Sequence, residues 1–410
     1  MADTFFDIHM HAMDLSHPNL IAFLQRVNGI AGKLLLGGIA EPFLGQKEER
    51  LINLLTVMEN NIGDYFILME HFLKNKPPMV VNDGLLKTGE KEFDTILLTP
   101  LIMDFGFKDI KSKTFYDMAL GKPVVCQTKD VLDAIKKYCN CEFAVKTGNK
   151  NHQEGITVPR KSRPIFEIYP FLGINPAIYD LPALTELLDR CFSGYTGKRV
   201  DLHANMGTFG GDISNIGSNI FAGIKLYPPL GFDPWPVGDK EQMDKVNYLY
   251  NMCQNMQVPI TVHCSDGGFV TVDNAHDLTN PVKWEQVLIE YPKLKLNLAH
   301  FGHQGNFLGI IHRHEWLEKI IQLVAYDNVY TDISCLAFDD AFYEDFAEVL
   351  KKNSKLINKV LFGSDYLINL QWIGSYNEYL RAFQSTDKLS EEQKFKICST
   401  NPEKFLFHSK

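Results

Sequence analysis

The sequence predicts an α/β protein, a (β/α)₈ barrel of the TIM type. Three observations predict it: eight short apolar runs, helical patterns between most of them, and histidine, aspartate or lysine recurring where those runs end. The runs are Thr4–His11, Thr95–Asp104, Ile165–Gly173, Phe221–Pro228, Pro259–Ser265, Leu294–Gly302, Val329–Ser334 and Val360–Asp365. They are near-continuous in Val, Ile, Leu and Phe rather than alternating, as buried parallel strands are. Helical spacing appears over Glu48–Lys74, Asp130–Tyr138, Leu181–Cys191, Lys240–Met256, Val282–Tyr291, His314–Tyr326 and Asp340–Asn353. Asp180 before Leu181-Pro182 has the form of an N-cap followed by an early proline. Ser390–Phe407 reads as a closing helix and tail.

The units are unevenly spaced. From the fourth run onward the rhythm is that of ordinary βα units, whereas residues 15–90 and 107–163 are far longer than such loops need. We therefore expect a single domain, 1–410, with mostly helical insertions in its first two βα loops, over the barrel mouth. A barrel tolerates such insertions even in a chain longer than most single cores.

Composition narrows the function. The net charge is −9 with scattered basic residues, which argues against a nucleic-acid footprint. Arg160, Lys161 and Arg163 form a small basic group that reads as a solvated loop. No stretch approaches the ~20 apolar residues of a membrane span, and the first residues lack the pattern of a secretory leader. The eight cysteines show no paired spacing and read as free thiols in a reducing compartment. The expectation is a cytoplasmic protein acting on a small molecule, without nucleic-acid or membrane partners, homo-oligomerisation being left open.

The chemistry lies at the run ends. In Asp7-Ile8-His9-Met10-His11 the two histidines are two apart and project to one side of a strand, where two imidazoles can chelate one cation. Pro259–His263 and Leu296–His300 are apolar runs ending in histidine, and Val360–Asp365 ends in aspartate. A lone histidine at a strand end is usually structural. Four ends giving His-x-His, His, His and Asp, all facing one barrel mouth, suit a metal site. Lys225, inside Gly223–Leu226, either reaches the mouth and pairs with Asp365 or is carbamylated, which would remove its charge and supply oxygen ligands. Tyr227 and His303 are candidate substrate contacts, and Ser265 and Asp266 lie beside them in the chain. Cys264 points away from the face of His263 and reads as packing. His203 reads as structural, and His276, His312 and His314 as surface or lid residues.

These residues resemble the amidohydrolase superfamily, in particular its amidohydrolase-related branch of hydrolases and non-oxidative decarboxylases. The motifs are Phe6-Asp7-Ile8-His9-Met10-His11, Gly173-Ile174-Asn175-Pro176, Gly223-Ile224-Lys225-Leu226-Tyr227-Pro228, Asn297-Leu298-Ala299-His300-Phe301-Gly302, Leu361-Phe362-Gly363-Ser364-Asp365 and Asn401–Leu406. Residues 15–90 and 107–163 carry no part of the resemblance.

The resemblance implies a divalent metal held by His9, His11 and Asp365, with His263 also in contact with it. Zinc is the first expectation, and manganese or iron also fits the donor set. The implied reaction is hydrolysis: a metal-activated water attacks the carbonyl of a small amide, lactone or ester, and Asp365 carries the proton to the leaving group. His300 is either a ligand to a second ion or a hydrogen-bonding electrophile beside that carbonyl. One or two ions are expected, two if Lys225 is carbamylated. The alternative chemistry is non-oxidative decarboxylation of a small carboxylic acid. The non-enzymatic alternative is a barrel that only binds a ligand.

Overall fold

A computed structural model of the chain describes residues 3–17, 45–105, 124–147, 153–304 and 315–408. Eight parallel strands surround a common interior. They are β1 (Asp3–Met10), β2 (Lys91–Pro100), β3 (Phe166–Ile168, continuing as Phe171–Gly173), β4 (Gly223–Leu226), β5 (Ile260–Val262), β6 (Leu296–Leu298), β7 (Val329–Asp332) and β8 (Val360–Leu361). Each pairs in parallel with the next: β2 holds the first part of β3, whose second part continues the sheet to β4. The seams are joined by single backbone hydrogen bonds. Ile8 N–H donates to the Phe362 carbonyl (3.1 Å), and Ser364 and Asp365 N–H donate to the His9 carbonyl (3.0 and 2.7 Å). Across the other seam Ile102 N–H donates to Phe171 (3.1 Å). The chain is thus a TIM-type (β/α)₈ barrel.

The ladders are shorter than the apolar runs because the last residues of each run bend out of the sheet toward the mouth. His300 and Phe301 have left-handed φ of 65° and 52°, and Asp365 of 59°. Such backbone costs of order 1–3 kcal/mol per residue and clusters at functional sites. β1 also carries a bulge: Asp7 pairs with Leu98 but Met10 with Pro100, three residues against two. The bulge re-aims the strand. Phe6 and Ile8 pack inside with Leu97, Phe171 and Leu361, above Phe405 and Phe407. Asp7 turns outward to the Tyr376 hydroxyl (2.9 Å), while His9 turns inward. Closure at the β8–β1 seam needs Gly363, since a Cβ there would lie 2.6 Å from that of His9.

The outer helices follow the expected periodicity, with Lys240–Met256 at the anticipated bounds. Glu48–Lys74 is corrected: it is two helices, Gly45–Glu59 and Tyr65–Asn75, interrupted where the Asn61 side chain accepts from Gly63 N–H (2.7 Å). The closing helix starts at a Ser390/Gln393 capping box and runs to Leu406 through a π turn at Lys396–Thr400.

The insertions hold helices, as expected, and also antiparallel pairings that the sequence reading left out, among them that of Leu85–Thr88, which runs on antiparallel to β2. Val81–Asn82 pairs with Leu85–Thr88 through Asp83-Gly84, and Cys141–Thr147 pairs with Gln153–Pro159. The solvated reading of Arg160 is also corrected. Its guanidinium is buried over the Tyr138 ring (4.5 Å) and pairs with Glu70 (3.1 Å), and Arg163 pairs with Asp94 (3.1 Å). His203 lies on the helix Arg199–Asn205 near Glu167 (3.8 Å). All eight cysteines are unpaired. No helix among the described residues is long and apolar enough to cross a membrane. His312 and His314 lie outside the described residues.

Candidate metal centre

The strand ends bring His9, His11, His263, His300 and Asp365 to one point, all buried. Asp365 Oδ1 lies 3.2 Å from His11 Nε2 and 3.6 Å from His9 Nε2. His300 Nε2 lies 3.0 Å from His263 Nδ1. The His9 and His300 rings are 4.8 Å apart, which joins the two groups. Lys225 Nζ and His9 Nε2 find no hydrogen-bond partner among the described residues.

The outward-facing nitrogens decide what these atoms can do. His11 Nδ1 faces the Leu101 carbonyl (3.0 Å), His263 Nε2 the Gly267 carbonyl (3.1 Å) and His300 Nδ1 the Ser334 carbonyl (3.2 Å). His9 Nδ1 faces the Asp332 carboxylate (3.0 Å). Carbonyls and carboxylates only accept, which assigns the ring's single proton to each outward nitrogen. The hydroxyls of Ser265 (3.2 Å from His263 Nε2) and Ser334 (2.9 Å from His300 Nδ1, 3.1 Å from His9 Nδ1) then act there as acceptors. The inward nitrogens are His9 Nε2, His11 Nε2, His263 Nδ1 and His300 Nε2, and as neutral imidazoles all four are bare lone pairs.

Burial keeps His9, His263 and His300 neutral. It lowers His9 to about 4, holds His263 well below the ordinary histidine value with help from His300 and Lys225, and lowers His300. Burial also pulls Lys225 down to about 8, against the pull of Asp365 and Asp332. Asp365 would be raised by burial; its lowering well below the usual carboxylate range comes first from a proton on His11 Nε2. An ionised Asp365 and a bare His11 Nε2 therefore occur together only with a cation between them. Two bare nitrogens 3.0 Å apart, two more around a carboxylate and an unpartnered amine form a donor set that fits one or two divalent cations.

A cavity of about 1010 Å³ opens from this point, with His11, His263, His300, Cys335 and Asp365 in its wall. Tyr227 lines it half-buried, its ring 4.5 Å from that of His263 and its hydroxyl accepting from Phe269 N–H (2.8 Å). His303 lines the same cavity and is exposed. Cys264 points away and is buried, its thiol 3.7 Å from the Thr279 carbonyl. His276 pairs with Asp266 (3.0 Å).

Sequence reasoning missed Asp332, Ser334 and the side chain of Asn297. Asp332 is fully buried and receives Asn297 Nδ2 (2.7 Å) and His300 N–H (3.0 Å) besides His9. A signal was present: Asp332 and Ser334 are polar residues ending an apolar run, as His263 and Asp365 do.

A barrel whose strand ends gather imidazoles and a carboxylate beneath one cavity is the architecture of a metal-dependent enzyme. Residues 213–407, a little under half of the chain, match the family model described as Amidohydrolase, so this part of the chain is similar to that family. That segment carries Lys225, His263, His300 and Asp365. Among solved structures the chain is similar to an amidohydrolase from Burkholderia multivorans with bound zinc (11% identity, 100% of each chain, TM-score 0.49). It is also similar to an uncharacterized TIM-barrel protein from Bordetella bronchiseptica (14%, 98% of each chain, 0.47). A third is 5-carboxyvanillate decarboxylase from Novosphingobium aromaticivorans, complexed with manganese (13%, 99% of this chain and 96% of that chain, 0.46). No curated protein matches the chain.

Proposed function

We propose that the protein is a hydrolase of small amides, lactones or esters, with two divalent cations, zinc by the nitrogen-rich donor set. His9, His11 and Asp365 would hold one ion, and His263 and His300 the other. Lys225, as a carbamate formed when its neutral amine adds CO₂ and loses a proton, would supply further oxygen ligands. The observation that carries this reading is the pair of bare nitrogens, His263 Nδ1 and His300 Nε2, 3.0 Å apart beside the unpartnered Lys225 amine. Uncompensated, those lone pairs repel each other; a cation turns the repulsion into ligation.

Divalent ions bound there supply Lewis acidity toward a carbonyl oxygen and toward water. The chain does the rest. Asp365, ionised and at the cavity wall, accepts the proton that a hydrolytic water loses and returns it to the leaving group. His300 has its one proton on the nitrogen facing Ser334, so it offers the substrate a lone pair and no donor. This supports the ligand role over the electrophile role. Tyr227 and His303 contact the substrate from the cavity wall.

The test is a panel of lactones, amides and esters beside aromatic and dicarboxylic acids, given to protein purified without chelators. The expected result is release of the hydrolytic acid without CO₂. Release of CO₂ without a hydrolytic product would instead make the protein a decarboxylase. Metal-free protein with no turnover on any member would make it a ligand-binding barrel.

A further inference from the structure

Asp332 accepts five hydrogen bonds on two oxygens. Its Oδ1 takes the backbone N–H of His300 (3.0 Å) and of Ser334 (3.1 Å), and the Ser334 hydroxyl. Its Oδ2 takes His9 Nδ1 (3.0 Å) and Asn297 Nδ2 (2.7 Å). A carboxylate has about four lone-pair sites and no donor, so this one is saturated. The consequence falls on His9. The other three imidazoles have their tautomers fixed by backbone carbonyls, of Leu101, Gly267 and Ser334, which no substitution removes. The tautomer of His9 depends on side chains: on Asp332, and on the Ser334 hydroxyl, which lies 3.1 Å from His9 Nδ1 but donates its own proton to Asp332 Oδ1.

We propose that Asp332 is a positioning residue that holds the His9 proton on Nδ1, and so keeps the His9 Nε2 lone pair bare and aimed at the cation position. The proposal rests on the cation-centre reading above. It makes a sharp forecast for Asp332→Asn. The new amide must keep its oxygen on the Oδ1 side, because the two backbone N–H groups there cannot reverse. Its NH₂ then faces His9 and Asn297. Asn297 can answer by rotating its own amide, whose oxygen has no hydrogen-bond partner among the described residues. His9 answers by moving its proton to Nε2, where it blocks ligation; to keep Nδ1–H it would have to turn that proton onto the Ser334 hydroxyl, 3.1 Å away. The substitution therefore inverts a tautomer rather than merely weakening a contact, as an Asp-to-Asn change behind a catalytic histidine does in the serine-protease triad.

The experiment is long-range proton–nitrogen NMR of metal-free protein labelled in histidine, with the His9 signals identified by their loss in His9→Gln. We expect Nδ1 protonated in the wild type and in Ser334→Ala, and Nε2 protonated in Asp332→Asn. In chelator competition, Asp332→Asn should bind zinc at least about tenfold more weakly than the wild type. The proposal is overturned if wild-type His9 carries its proton on Nε2. It is equally overturned if Asp332→Asn keeps Nδ1–H, even with weaker zinc binding, since lost charge alone would explain that. Should the variant not fold, the wild-type spectrum decides. A wild type that binds no zinc sinks the cation-centre reading, while the tautomer measurement still decides the role of Asp332.

Discussion

Each imidazole in the site presents its protonated nitrogen to a fixed acceptor and its bare nitrogen to the centre, and Lys225 is the residue that this arrangement leaves unresolved. Its amine is buried with no hydrogen-bond partner among the described residues, a costly state unless it is neutral or modified. If it bridges two ions as a carbamate, Lys225→Met should reduce metal content from about two equivalents per chain to about one. Elemental analysis of protein prepared without chelators checks this, and two equivalents retained in the variant would exclude the bridge. At this scale much of the site was legible. His9, His11, His263, His300, Lys225 and Asp365 each interrupt or end an apolar run. The proton-fixing acceptors were not legible, because three of the four are backbone carbonyls and leave no mark in a sequence.

Among the elements, the strand ends do the positioning, and the β8–β1 seam is the tightest. Gly363→Ala would place a Cβ 2.6 Å from that of His9 and 3.1 Å from that of Ser334. Neither neighbour is the free end of a flexible chain. We expect a loss of about 1–3 kcal/mol by denaturant unfolding, with weaker metal binding. An unchanged midpoint would show that the seam yields more easily than its geometry implies. The eight strands were legible as apolar runs, but their ends were not, because the last residues leave the ladder in backbone conformations that periodicity does not encode. The β1 bulge shows the same limit. Simple alternation puts Asp7 on the face of His9, whereas the extra residue sends Asp7 out to Tyr376 and His9 in to Asp332. The hairpin at Asp83-Gly84 had a readable turn signal. So had that between Cys141 and Pro159, in Gly148-Asn149.

For the molecule as a whole, the barrel floor and mouth separate stability from function. At the floor Lys295, buried, donates to the Phe407 carbonyl (3.0 Å) and tethers the C-terminal segment. Burial lowers its pKa from the ordinary 10.5 to about 8. The folded state therefore disfavours the charged amine. The cost is full below pH 8 and fades as pH rises from 8 toward 10.5, so this group makes the protein more stable with rising pH over that window. The gap corresponds to about 3 kcal/mol, and the hydrogen bond to Phe407 offsets about 1. Lys295→Met should thus be about 1–2 kcal/mol more stable than the wild type at pH 7, with the advantage shrinking by pH 10. Unfolding free energies at both values check this, and a constant difference would contradict it. The barrel class was legible from eight runs with helices between them. The burial of Arg160 between insertions was not, because its partners Glu70 and Tyr138 are distant in the chain.

The convergence of four bare imidazole nitrogens and one carboxylate on cation positions is tested most directly by anomalous diffraction at the zinc edge, on crystals of protein grown without chelators. The account predicts two peaks. One should lie at ligand distance, about 2.0–2.2 Å, from His9 Nε2, His11 Nε2 and an Asp365 oxygen, and the other from His263 Nδ1 and His300 Nε2. Loaded crystals with no peak at these atoms, or with peaks only elsewhere, would contradict it.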